Sequence, residues 1–393
     1  MIYKCPGCTG ALTYDPEIKK IHCKYCDKFY TVDEDSKVNE ADELTEDSFN
    51  VFIYSCTACG AELMVNRNEA STFCSYCGQP TVVFNRVSKE LKPDYCIPFS
   101  ITDEEAMSRI REKLKKGWFI PQEIKELKID KLKGIYIPFW LHDIKIREKA
   151  NFKAKRRSGK SEYTVHFFRD AEATYQKITC DGSKKLNDEL SQRLEPFEMS
   201  GLRKFNPEYM SGFYADRYDI DEQGTRKVAL KRAKEFLEED MLESLENCHS
   251  KSVEQENIKY EFMKHSYALL PAWFLTFRYE GRLHTILVNG QTGKIVGNVP
   301  VHRNRLMKFA FLLGALLISI FSFIFTKFCH LVNYVGEDER GNIIGIIVAA
   351  VLVSICYGWD ALKKWGKYQN ERYFFTSVNT VSYVKERQDN KWK

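Results

Sequence analysis

Cys5-Pro6-Gly7-Cys8 and Cys23-Lys24-Tyr25-Cys26 open the chain, and Cys56-Thr57-Ala58-Cys59 with Cys74-Ser75-Tyr76-Cys77 repeats them at an offset of 51 residues. The same offset carries Tyr3 to Tyr54, Leu12 to Leu63 and Val32 to Val83, so a whole small unit is duplicated. A C-x2-C turn aims two thiolates at one point, and a pair of such turns closes a tetrahedral four-sulfur shell. In each copy 14 residues separate the paired turns, a gap that fits a short hairpin. Cys5, Cys8, Cys23 and Cys26 are therefore expected to hold one metal ion, and Cys56, Cys59, Cys74 and Cys77 a second. Four protein ligands leave no place for a catalytic water, so both ions are expected to be structural. Zinc is the expected metal, and iron suits the same shell. Gly60 and Gly78 follow their knuckles and supply a positive φ, whereas the first copy has Thr9 and Asp27 there.

Between the copies, Asp33 to Asn50 is strongly acidic and reads as a solvated tether that leaves the two units loosely joined. From residue 88 to 301 the pattern is that of a mixed α and β domain. Thr102-Asp103-Glu104-Glu105 is a capping box ahead of Ala106, Ile110 and Leu114, and Gly117 stops that helix. A second amphipathic helix is predicted over 222–247, with Val228, Phe236, Met241, Leu242 and Leu245 as its apolar stripe. Strands are predicted over Gly134 to Leu141 and Tyr267 to Phe274. Both contain aliphatic-Pro-x-Trp, which hints at a duplicated helix-then-sheet unit, and proline in each favours sheet edges or strand starts. Gly290-Gln291-Thr292-Gly293 marks a hairpin.

Phe309 to Thr326 and Gly341 to Trp359 carry no charge, and each can span a bilayer once its flanks are included. Arg303, Arg305 and Lys308 precede the first, and Lys363, Lys364, Lys367 and Arg372 follow the second. The positive-inside rule then places both termini in the cytoplasm of a multi-pass protein of the cell membrane. Met1 to Pro6 lacks the pattern of a secretory signal.

The net charge of +5, with 44% hydrophobic residues, excludes wholesale disorder and does not mark the whole chain as a nucleic-acid binder. Lys145, Arg147, Lys149, Lys153, Lys155, Arg156, Arg157 and Lys160 form a basic hairpin in which Glu148 is the opposing charge. Lys153, Lys155, Arg156, Arg157 and Lys160 are candidates for anionic lipid headgroups, and nucleic-acid phosphates are the weaker alternative. Ala154 to Ser161 satisfies a relaxed P-loop pattern, yet strand patterns on both sides favour a hairpin tip. The eight histidines form no HExxH, and no G-x-S-x-G elbow occurs, so no enzymatic activity is expected. Cys96, Cys180, Cys248, Cys329 and Cys356 stand singly and read as apolar filler.

The double ribbon, Ile97-Pro98-Phe99, Tyr136 to Leu141, Asp181-Gly182-Ser183-Lys184-Lys185-Leu186, Leu194-Glu195-Pro196-Phe197, Leu269 to Trp273 and Asn289 to Lys294 together resemble the bacterial TFIIB-type zinc-ribbon membrane proteins. Some members of that family carry the label of the primosomal helicase PriA, and some resemble membrane anchors that recruit phage-shock and SPFH-type proteins. The resemblance implies no established reaction. The expected fold is multidomain α+β: zinc ribbons over 1–32 and 51–87, the acidic linker over 33–50, and a cytosolic α+β domain with antiparallel sheets over 88–301. Transmembrane helices at 306–328 and 341–359 and a basic cytoplasmic tail over 360–393 follow. The expected function is a membrane-anchored adaptor, with two structural zinc ions, that presents its ribbons to a cytosolic protein partner. The alternative is a membrane-tethered zinc-ribbon protein of transcription or replication.

Overall fold

The computed structural model describes residues 5–32, 48–65, 74, 76–77, 82–117, 119–126, 132–158, 161–184, 186, 188–245, 247–297, 299–300 and 302, with nine further positions between 305 and 324. The acidic stretch from 33 to 47, most of 66–81, Lys160, the second apolar span and the tail lie outside the described residues. The first ribbon is a three-stranded antiparallel sheet of β1 (Leu12–Asp15), β2 (Lys20–Cys23) and β3 (Phe29–Tyr30). It is seated on the head: Tyr14, 3% exposed, donates its amide to the Ser211 carbonyl at 2.9 Å and packs edge-on against Tyr209. Gly212, at φ +87°, leaves room there for the Thr13 methyl. Burying Tyr14 removes a large apolar ring from water, which favours this contact.

The second ribbon region contributes β4 (Ser48–Cys56), β5 (Glu62–Val65) and β6 (Val82–Leu91), and β4 begins inside the expected linker. Beyond it follow β7 (Tyr95–Cys96), α1 (Asp103–Lys116), α2 (Gln122–Lys125), β8 (Lys133–Ser158), β9 (Ser161–Asp181) and α3 (Asp188–Leu194). The chain continues with β10 (Arg203–Lys204), β11 (Tyr214–Asp216), α4 (Glu222–Glu243), β12 (His249–Tyr279), β13 (Arg282–Asn289) and β14 (Ile295–Gly297). Among the described residues β4 to β14 make one sheet along the path β10-β7-β12-β8-β11-β5-β4-β6, with β9, β13 and β14 off that path. The second ribbon is thus an extension of the head's sheet, joined where Ala215 and Asp216 pair with Met64 and Leu63. Arg217 fastens the junction by donating to Glu90 at 2.8 Å and Glu62 at 3.1 Å, while Arg86 forks onto Glu62.

Both helices start as their caps dictate. Thr102 accepts the Glu105 amide ahead of α1, and Asp221 accepts the Gly224 amide ahead of α4. Ala106, Ile110 and Leu114 are buried on α1, and Val228, Ala229, Ala233, Leu237 and Met241 on α4. Phe236, expected in the stripe, is instead exposed beside Tyr175.

The Pro-x-Trp runs are the inner ends of two long strands that pair antiparallel with each other, Pro138 opposite Leu269 and Pro271 opposite Tyr136. The prolines lie at neither an edge nor a start. Pro138 sits where β8 changes neighbours, from β11 at Ile135 and Tyr136 to β9 from Phe139 onward. Pro271 sits where β12 changes from β7 at Ala268 and Leu269 to β13 from Ala272 onward. A residue's N and O face the same side of a strand, and these prolines turn that side to the junction, where a missing N–H breaks no ladder bond. Their carbonyls accept the Gly182 and Gly290 amides, each at 2.9 Å. Trp140 donates to the Ile220 carbonyl at 2.8 Å and Trp273 to the Ile101 carbonyl at 2.9 Å, the residue before the N-cap in both cases. The expected duplication is therefore present as β7-α1-β8-β9 and β11-α4-β12-β13, and the tryptophan of each unit holds the start of the other unit's helix.

Among the described residues no helix is long and apolar enough to cross a membrane. The nine described positions from 305 to 324 are helical, and Phe309, Leu312, Ile320, Phe323 and Ile324 among them are exposed.

Candidate metal centres

Each duplicated unit gathers its four cysteines into one group whose sulfurs all lie within 4.8 Å of one another. Cys5 Sγ is 3.5 Å from Cys26 Sγ and Cys8 Sγ 3.4 Å from Cys23 Sγ; in the second copy Cys56 to Cys77 and Cys59 to Cys74 are both 3.6 Å. Sulfurs at about 2.3 Å from zinc in a tetrahedron stand about 3.8 Å apart, so both groups fit that ion. They are far beyond the roughly 2.05 Å of a disulfide. The first cysteine pairs with the fourth and the second with the third in both copies, as the repeat demands.

The turns that aim these sulfurs share one backbone shape. Thr9, Asp27 and Gly60 donate their amides to Cys5, Cys23 and Cys56, and all three adopt a positive φ, of 60°, 56° and 70°. The conformation is thus common to both copies although glycine is not; Gly78 lies outside the described residues. Thr9 and Asp27 bear a left-handed backbone that side chains resist, and each is held by the amide-to-carbonyl bond that closes its turn.

Hydrogen bonding and burial split the thiols. The Tyr30 hydroxyl, 3.1 Å from Cys5 Sγ, brings that thiol down to about 6, while burial and neighbouring sulfurs push Cys26 up to about 12. In the second copy burial raises Cys59 to about 11 and pushes Cys74 higher still. Four thiolates crowded together repel one another, so some hold protons until a dication joins them, and metal entry releases those protons. Tyr30 was not legible as a partner of Cys5, because nothing in its spacing distinguishes it from a core tyrosine.

The copies differ in what lies beside the sulfurs. Tyr76, between Cys74 and Cys77, donates to Asp216 Oδ2 at 2.5 Å and packs edge-on against Phe274. Its counterpart Tyr25 lies over Gly10, where a Cβ would come within 2.7 Å of the ring, and is 81% exposed. Cys96 and Cys180 are buried and Cys248 partly so; Cys329 and Cys356 lie outside the described residues.

The basic hairpin differs from its reading in sequence. Lys145 pairs with Glu172 at 2.9 Å, Arg147 and Lys149 with Asp170 at 2.9 and 3.1 Å, Lys153 with Glu254 at 3.8 Å and Lys155 with Glu162 at 2.9 Å. These acids arrive across the sheet from β9 and β12, and Glu148 faces the other way, into the interior. Arg156 lies over the Phe167 ring, and Arg157 is the register partner of Glu162. Ser158 and Ser161 close an antiparallel pair, so the P-loop-like run is a hairpin and not a strand-to-helix turn.

Over 312 residues, 77% of this chain and 91% of the relative, the sequence is 30% identical to the uncharacterized protein YdjG of Bacillus subtilis strain 168. No family description matches the chain, and no solved structure is similar to it. Neither the TFIIB-type nor the PriA label gains support from these comparisons.

Proposed function

The chain belongs to the family of Bacillus subtilis YdjG, and on that premise we propose a membrane-anchored zinc adaptor whose first ribbon is the face offered to a cytosolic protein. The observation that carries this reading is the unequal use of one tyrosine: Tyr76 is taken up by the head, whereas Tyr25 stands in solvent with Phe29 and Ile18 also exposed on the same ribbon. A metal-clamped turn presents such a ring at little entropic cost, and tyrosine is a frequent anchor of protein interfaces. Two zinc ions fill the cysteine groups in this account. Residues 306–328 and 341–359 form the membrane hairpin, with both termini cytoplasmic, a reading supported by the absence of charge from 309–326 and 341–359 and by the exposed apolar side chains at 309, 312, 320, 323 and 324. Cross-strand pairing of Lys153 and Lys155 weakens the lipid-headgroup and nucleic-acid readings, because two of their five candidate cations already face an acid.

The test is affinity capture from solubilised membranes with the wild type, Tyr25→Ala and a Cys5→Ser, Cys8→Ser variant. A partner that binds the wild type, is lost by Tyr25→Ala and rebinds the purified wild type is the expected result. A partner set unchanged by Tyr25→Ala overturns the assignment of that face.

A further inference from the structure

We infer that Glu148, Glu238 and Glu256 form a third cation site, for a hard divalent ion of the Mg2+, Mn2+ and Ca2+ class, between α4 and the long strands β8 and β12. One carboxylate oxygen from each lies within 4.8 Å of the others, although the three residues come from three separate elements. Glu148 is 0% exposed, on the inward face of β8 between Ile146 and Ala150, and neither of its carboxylate oxygens has a hydrogen-bond partner among the described residues. A buried carboxylate so placed is costly unless a cation or a proton meets it.

The rest of the cluster has the form of an entrance. Glu256 is exposed at the rim, and the Lys234 ammonium bridges it at 2.7 Å and Glu238 at 3.4 Å. That ammonium serves Glu238 and Glu256 and makes no ion pair with Glu148 among the described residues. An all-oxygen donor set favours hard cations over the soft ions that thiolates select, so this site does not compete with the cysteine centres. Burial first, then Glu238, brings the Glu148 carboxyl up to about 7, with Lys234 opposing and Glu256 adding to the rise. From β9, Ala171 and Ala173 bring no charge, and Arg169 is held by Ser244. An entering ion displaces the Glu148 proton, so binding strengthens as pH rises through 7. Filled, the site ties α4 to both long strands.

The experiment titrates Mn2+ into the zinc-loaded full chain in detergent and reads free Mn2+ by electron paramagnetic resonance. One site is expected in the wild type, with displacement by Mg2+ or Ca2+. Glu148→Gln and Glu256→Gln should each weaken it by about tenfold or more, and Lys234→Gln should tighten it, with both cysteine centres keeping their zinc. No binding by the wild type up to millimolar Mn2+ overturns the inference, as does wild-type affinity in both glutamine variants. If Glu148→Gln loses its thermal transition, rim variants Glu256→Gln and Lys234→Gln decide the outcome, since unchanged affinity in both is equally fatal.

Discussion

Replacing Arg232 with methionine should destabilise the head more than any exposed charge change. The Arg232 side chain is 9% exposed and its partner Glu195 12%. Nη2 donates to Glu195 Oε2 at 3.0 Å and Nη1 to Glu195 Oε1 at 3.1 Å, and the same guanidinium reaches the carbonyl and hydroxyl of Thr179. Methionine keeps most of the volume but leaves Glu195 charged and enclosed, a loss of about 3–5 kcal/mol. At roughly 2–4 °C per kcal/mol for a domain of this size, the melting temperature should fall by about 10 °C. Adding Glu195→Gln removes the stranded charge, and the double variant should recover to within about 1–2 kcal/mol of the wild type. The exposed pair Lys155 and Glu162 supplies the control, worth less than about 1 kcal/mol. Thermal unfolding of the zinc-loaded full chain in detergent, followed by tryptophan fluorescence, measures all of these. A single variant that melts within 2 °C of the wild type, or a double variant as unstable as the single, refutes the reasoning.

Trp140→Phe and Trp273→Phe should each cost about 1–3 kcal/mol in urea unfolding, because each leaves the carbonyl before a helix cap without its donor; unequal losses would count against the duplicated contact. His142, fully buried against Thr225, is held neutral by burial, down to about 4 from its ordinary 6.5, with the facing Glu222 opposing. The unfolded chain takes up that proton first, so stability should decline below pH 6.5, by about 3 kcal/mol at pH 4. His142→Gln should abolish that slope in unfolding midpoints measured across this window. Tyr76→Ala should lose about 3 kcal/mol through its hydrogen bond and ring contact, while Tyr25→Ala should change stability by less than about 0.5 kcal/mol.

The cysteine groups were legible because ligand spacing is local: a C-x2-C turn and its partner lie within one hairpin, and the repeat at 51 residues shows the pattern twice. Both helices were legible from the spacing of residues such as Ile110 and Val228, and the first also from its cap at Thr102, whereas the Asp221 cap of the second emerged only in the structure. Pairing over long distances was not. The acids that pair with Lys145 to Lys155 lie on other strands, up to about a hundred residues away, where a reading of the local sequence does not find them. Pro138 and Pro271 suggested edges, because the change of neighbour that tolerates them depends on β7, β9, β11 and β13 arriving from elsewhere. Motifs that carried no mechanism in sequence turn out to be junction pieces. Asn289 accepts the Gln291 and Thr292 amides and donates to the Leu194 carbonyl, and Glu195 of the Leu-Glu-Pro-Phe run receives Arg232. The fusion of the second ribbon into the main sheet was hidden for the same reason, since β11 meets β5 across about 150 residues of chain.

Native mass spectrometry of the freshly purified full chain tests the central claim most directly, by weighing the metal and the protons together. The account predicts two zinc ions per chain, falling to one in a Cys5→Ser, Cys8→Ser variant and to one in a Cys56→Ser, Cys59→Ser variant. A metal-free chain whose mass is lowered by disulfide formation, or the same single ion in all three proteins, contradicts it.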